Sequence, residues 1–243
     1  MSEVPNFPPP ARDHGSHDRE IALLKSHVAE MTVLATGMVA DGLRTLLTAD
    51  AELSQSVISR AAPLDRFDLE VEMETIQLVA IMQPEGPDLR TVESILKIGT
   101  CVDRIGRLGY DLGRYVVAAP EGADNEVKEL LRQMDAKARV MIVEAMEAFL
   151  EMDANRAKAV FPLDNEVDAL HRQVQVKVIS LLRKGGPAVD RLAYELVGAR
   201  HLERVADNAC KIAEKAVYAI TGERRPDFLV DRSHRKRAPE GVP

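Results

Sequence analysis

The chain has no tryptophan and only 4% aromatic residues, so a core must come from aliphatic side chains. No segment alternates apolar and polar residues in the manner of a half-buried strand, which speaks against a sheet. Two cysteines, Cys101 and Cys210, are too few for a disulfide framework, and both fall within apolar helical runs where a small buried residue is expected. No stretch approaches the length of apolar sequence that a membrane span needs, and the N-terminus carries no apolar signal core, so a cytoplasmic protein is expected. A phosphate-cradling glycine loop and a nucleophile-with-base motif are also missing, so no enzyme chemistry is read here. A formal net charge of −7 disfavours a general nucleic-acid binder.

What the 243 residues do contain is 46% hydrophobic content, rich in Ala, Leu, Val, Glu and Arg, the composition of helical bundles. The most informative run lies near the C-terminus. Leu192, Leu196, Ala199, Ala206, Cys210, Ala213, Val217 and Ile220 follow the spacing of one helical face. Glu203 falls in that same series and Asp207 lies one turn further on. A carboxylate there is costly without compensation, and two adjacent ones call for a cation. Ordinary pairing with Arg200, Arg204 and Lys211 at the edge of the stripe is the competing reading.

The same pattern occurs a hundred positions earlier. Asp103 stands where Glu203 does, Arg104 where Arg204 does, and Gly106 where Ala206 does. Upstream, Gly86-Pro87 matches Gly186-Pro187 and Asp68 matches Asp168, with Pro63-Leu64-Asp65 against Pro162-Leu163-Asp164 slipped by one. An internal duplication follows. Four segments result: a proline-rich arm over residues 1–17, expected to be disordered; a first helical unit over 18–119; a second over 123–221; and a basic tail over 224–243. His14 and His17 in the arm carry no specific chemistry.

Periodicity predicts helices over about Asp18–Thr48, Asp50–Ser59, Leu64–Met82 and Asp88–Ala118 in the first unit. The second unit is expected to hold about Asn125–Glu151, a short Ala154–Val160 piece stopped before Pro162, then Asp164–Arg183 and Ala188–Ile220. Each unit is thus three helices plus a short one, joined at Pro120-Glu121-Gly122. Gly99, Gly106 and Gly113, with Gly109 nearby, form a row that predicts close helix packing. The tail carries Arg224, Arg225, Arg232, Arg235, Lys236 and Arg237 around one apolar island, Phe228-Leu229-Val230. A solvated end is expected, with contact to an acidic partner or phospholipid head groups as the alternative.

Three strings carry a family likeness: Gln83-Pro84-Glu85-Gly86-Pro87-Asp88-Leu89-Arg90, then Asp103-Arg104-Ile105-Gly106, and His201-Leu202-Glu203-Arg204-Val205-Ala206-Asp207-Asn208. Over about residues 18–220 the chain resembles the PhoU family of phosphate-signalling proteins. The resemblance implies an all-α fold, a tandem pair of three-helix bundles related by pseudo-two-fold symmetry. It also implies metal clusters held by E/D-x-x-x-D motifs from neighbouring helices, here Asp164 and Asp168 with Glu203 and Asp207. Such oxygen ligands suit Mg, Mn, Ca or iron, with Zn also possible. In the first repeat Asp65, Asp68 and Asp103 are a degenerate version, because Arg107 stands where the second carboxylate should be. An Asp103–Arg107 pair in place of a metal is therefore expected.

The family likeness further implies a homodimeric negative regulator of phosphate uptake and phosphate-starvation signalling. Its implied partners are the ATPase of the phosphate ABC transporter and a sensor histidine kinase. A relative with eroded metal sites, serving as an adaptor for another transporter or signal, is the first alternative. A carboxylate-bridged di-metal oxidase or metal store is the second, but such proteins need two E-x-x-H motifs. Only Asp168-Ala169-Leu170-His171 comes near one, and both His171 and His201 are read as surface residues.

Overall fold

A computed structural model describes residues 14–116, 125–185 and 189–223. Among them every regular element is an α-helix: α1 (His14–Thr48), α2 (Ala51–Ser59), α3 (Ala61–Met82), α4 (Gly86–Gly113), α5 (Asn125–Leu150), α6 (Ala154–Lys184) and α7 (Val189–Thr221). Helices α1, α3 and α4 form one bundle with α2 across its end, and α5, α6 and α7 form the other. The proline-rich arm up to residue 13, the linker around Pro120 and the tail from Arg224 lie outside the described residues.

The two bundles meet through antiparallel pairs. Tyr115, just past α4, touches Tyr194 and His201 near the start of α7, while Glu93 near the start of α4 meets Lys215 near the end of α7. Lys25 of α1 lies over the ring of Phe149 at the far end of α5. Head-to-tail pairing of α4 with α7, and of α1 with α5, is what a pseudo-two-fold axis between the halves requires. The same turn opens both second helices. Ala49 and Met152 each adopt a φ of 56°, and the aspartate that follows, Asp50 or Asp153, caps the next helix with its carboxylate.

The predicted apolar faces are buried: Leu24, Val28, Met31, Met38 and Leu46 in α1, Val127, Leu131, Met134 and Ile142 in α5, and Ala199, Ala206 and Val217 in α7. Cys101 and Cys210 are buried as well. The glycine row marks the closest approaches. A methyl group on Gly109 would stand 2.5 Å from the carbonyl carbon of Met38, and one on Gly42 would stand 2.3 Å from the carbonyl oxygen of Gly109. On the other side of α4, a methyl on Gly106 would meet Leu64 at 2.4 Å.

Four expectations need correction. Helix α1 begins at His14 rather than Asp18; the last proline before it is Pro10, so nothing in between stops the helix. Helix α4 ends at Gly113 rather than Ala118, closing through bonds from the Arg114 N–H to Tyr110 and Asp111 carbonyls. The break foreseen at Pro162 is absent, and α6 runs through it from Ala154 to Lys184. Both Pro162 and Lys158, four residues earlier, face solvent, so water can satisfy the carbonyl that the missing N–H leaves. The short extra helix therefore exists only in the first half. Leu150, expected to point inward, is exposed at the end of α5.

The packing makes opposite predictions for two glycines. Gly109→Ala forces α1 and α4 apart and should lower stability by roughly 1–3 kcal/mol. Gly37→Ala, whose added methyl meets nothing closer than 3.7 Å, should raise it by roughly 0.5–1 kcal/mol. Thermal unfolding of both variants checks this, and a Gly109→Ala protein as stable as the parent would refute the close contact.

Candidate functional site

Each half carries acids where its outer helix packs on its inner one, α3 on α4 and α6 on α7. In the first half Asp65 and Asp68 come from α3, and Asp103 and Arg107 lie one turn apart on α4. The Arg107 guanidinium donates through Nε to Asp103 at 2.8 Å and through a terminal nitrogen to Asp65 at 3.0 Å. The expected Asp103–Arg107 pair is thus present, widened to a triad. Burial, then the charges of Asp103 and Glu72, hold the Asp68 carboxyl above its ordinary pKa, while Arg107 works in the opposite sense. The other oxygen of Asp103, Oδ1, is buried with no hydrogen-bond partner. One cation thus serves three neighbouring carboxylates.

In the second half Asp164 is almost wholly buried and Glu203 nearly so, while Asp168 and Asp207 are half-buried. Glu203 is compensated by Arg200, whose guanidinium donates to its Oε2 at 2.7 Å. Arg200 also bears on His171, next to Asp168: burial lowers the imidazole pKa, Arg200 lowers it further and Asp168 opposes both. So the charge of Arg200 bears on α6 at His171, whereas Arg107 bonds directly from Asp103 across to Asp65 on α3. Among the described residues no three or more of His, Cys, Asp and Glu are gathered so that they could hold a metal ion. As placed, Asp65, Asp103 and Glu203 are arranged for arginine pairing.

Sequence reasoning missed three buried polar features. Asp135 of α5 is buried and paired with Arg139 at 2.9 Å, and its Oδ1 has no partner. Burial raises its pKa, more than Arg139 lowers it. Arg191 and Glu195 form an ion pair at 2.9 Å in which both side chains are almost fully enclosed, and Arg191 also donates to the Leu47 carbonyl at the end of α1. An arginine and a glutamate four apart, beside an apolar helical series, was the available signal. His201, expected at the surface, is buried between the halves, its Nε2 3.3 Å from the Tyr115 hydroxyl and its Nδ1 without a partner. Its place one turn before Val205, on the face toward α4, explains the burial. Its pKa is lowered, first by burial.

What the geometry defines is a duplicated, all-helical protein with long exposed faces and arginine-neutralised acids at each outer-to-inner helix seam. The family model described as "PhoU domain" matches twice, over residues 28–116 and 131–216. The chain belongs to the PhoU family. It is 28% identical over 218 residues to "Phosphate-specific transport system accessory protein PhoU homolog 1" of Thermotoga maritima, covering 89% of this chain and 94% of that one. The "Phosphate-specific transport system accessory protein PhoU homolog" of Rhizobium meliloti is 28% identical over 84% of this chain and 87% of its own. The crystal structure of PhoU from Pseudomonas aeruginosa superposes with a TM-score of 0.79 at 26% identity, over 85% of this chain and 99% of that one.

The raised pKa of Asp135 predicts a pH dependence with a definite sign. In the unfolded chain this carboxyl ionises near the ordinary value of about 3.9, and in the folded protein only at higher pH, so folding binds a proton between the two. Its ionisation therefore costs stability as pH rises through the folded value, and the cost is absent below the unfolded one. Asp135→Asn, which keeps an acceptor for Arg139, should unfold at higher temperature than the parent at pH 7, with the difference closing near pH 4. A variant less stable than the parent at pH 7 would refute the assignment.

Proposed function

We propose that this chain is an accessory protein that regulates phosphate-specific transport. The observation that carries this reading is the double match to one family across both halves, together with the role named in relatives that align over most of their own length. The structure is compatible with action by contact: among the described residues no helix is long and apolar enough to cross a membrane, and large apolar residues stand exposed along α3 and α6. In finer detail we read it as a homodimeric, cytoplasmic negative regulator rather than an enzyme. Its partners on this reading are the transporter's ATPase and a sensor histidine kinase. Deleting the gene should raise phosphate uptake in phosphate-replete cells by severalfold, and restoring the intact chain should reverse it. Uptake unchanged by deletion would overturn the proposal.

Metal binding by Asp164, Asp168, Glu203 and Asp207 is the part of the reading that the charge arrangement supports least. An ion there would have to displace Arg200 from Glu203 and draw the other carboxylates inward. The arginines that neutralise both seams support instead a relative whose metal sites have eroded. Equilibrium dialysis with Mn²⁺ separates the two: metal retained by the parent and lost in both Glu203→Ala and Asp207→Asn supports the four-carboxylate site. Retention below one ion per ten chains supports the eroded form.

A further inference from the structure

We propose that α3 of one copy of this chain packs antiparallel in the groove beside α6 of another copy, with Glu72 against Arg172 of that second copy. On α3, Leu69, Met73, Ile76 and Ala80 recur at spacings of four, three and four, and all are exposed. That is the spacing of a coiled-coil seam. Leu69, Met73 and Ile76 are each at least half exposed, and apolar surface of this kind marks an interaction site. Beside the seam stand Glu70 and Glu72, both exposed and outside the pairs that engage Asp65 with Arg107 and Glu74 with His27. An acidic, apolar ridge repels a second copy of itself and is matched by a basic, concave acceptor.

The other half of the same molecule supplies that acceptor. Helix α3 holds five acids against the single Arg66, whereas α6 holds six Lys and Arg against three acids. A groove of about 610 Å³ runs between α5 and α6, lined by buried Leu130 and, on α6, by Ala169, Arg172, Gln173, Val176 and Ser180. Val176 is 71% exposed there. Arg172 is exposed as well and lies outside the pair that Lys177 makes with Glu126. The duplication sets the register. A shift of one hundred positions matches Leu69, Glu72, Met73 and Ile76 with Ala169, Arg172, Gln173 and Val176, so an antiparallel pair of α3 with α6 of another copy repeats the pseudo-two-fold relation between the halves. Setting Met73 across from Gln173 brings Leu69 to Val176, Ile76 to Ala169 and Glu72 to Arg172. Identical halves would have set glutamate against glutamate at this point; the arginine turns repulsion into attraction. Unlike faces meet in this contact, so it does not close on two copies as an isologous dimer does. It is additional to the homodimer proposed above, which it would link into larger assemblies.

Cross-linking between two full-length chains, one carrying Leu69→Cys and the other Val176→Cys, tests this, with an affinity tag on one of them to separate the products. Cys101 and Cys210 are buried, so the introduced thiols react first. In an equal mixture under mild oxidation, the disulfide between unlike chains should form about tenfold faster than either disulfide between like chains, because docking raises the effective concentration of that pair alone. Glu72→Arg in the Leu69→Cys chain should remove the advantage, and Arg172→Glu in the Val176→Cys chain should then restore it. All four positions are exposed, so the fold of each variant is preserved. A statistical mixture of the three disulfides would overturn the proposal. So would a predominance of one like pair, which would assign that stripe to a two-fold contact, and so would a charge exchange that fails to restore the rate. Phosphate uptake in deleted cells is measured separately, so failure here leaves the regulatory role standing.

Discussion

Backbone-to-backbone contact between α1 and α4 is the constraint on which the other helices depend. Gly42 and Gly109 leave no room for even one methyl group between the two chains, so α1 and α4 behave as a single slab. Leu46 and Leu112, both on that slab, then receive Gly198 of α7, where an added methyl would stand 2.6 Å from Leu46. The second bundle is thereby seated against the first at one register. The enclosed Arg191–Glu195 pair and its bond to Leu47 fix the same junction from the start of α7. An ion pair so deeply buried contributes little net stability but is costly to break, so it penalises alternative seatings.

From this junction follows the distribution of roles among the helices. Helices α4 and α7 are inner in both senses, each packed on its own bundle and on the other. Their enclosed acids are drawn into ion pairs, as Asp103, Glu195 and Glu203 are. Helices α3 and α6 have one face free. That freedom is why α6 tolerates Pro162 in its course, with the interrupted backbone turned to water. It is also why large apolar residues persist on the outer faces of both.

How far the sequence reveals this depends on whether a feature is periodic or three-dimensional. The duplication, the seven-residue glycine spacing and the apolar stripes are one-dimensional signals, and the bundles, the close contacts and the buried faces follow from them. The Asp103–Arg107 pair was legible because both residues share a helix face one turn apart. The role of Arg200 was visible only as one of several ordinary surface pairs, since its distinction is that its charge bears on His171 of α6, which no spacing along α7 encodes. Asp135 was invisible because an isolated acid in an amphipathic run reads as a boundary residue until the neighbouring helix covers it. His201 was misread for the same reason: the face it occupies is apolar only in relation to α4. The paired caps after Ala49 and Met152 were legible in principle, as an aspartate opening each second helix, but the left-handed residue before each one has no special identity.

The arginines at the two seams show how duplication and physical necessity divide the explanation. Asp103 and Glu203 occupy equivalent positions, yet their neutralising arginines do not: Arg107 lies four residues after the acid and Arg200 three before it. A pairing inherited from one ancestral half would have kept one position. Different positions with the same partner chemistry are what independent solutions to a shared electrostatic demand produce, since a carboxylate held at a packed helix seam must be neutralised to stay ionised. Either side of the acid serves on a helix, because residues three before and four after lie on the same face. The position each half adopted decides what its arginine acts on next, Asp65 of α3 through a direct bond in one case and the charge of His171 on α6 in the other. The seams are therefore alike in their acids and different in the surface that each presents to a partner.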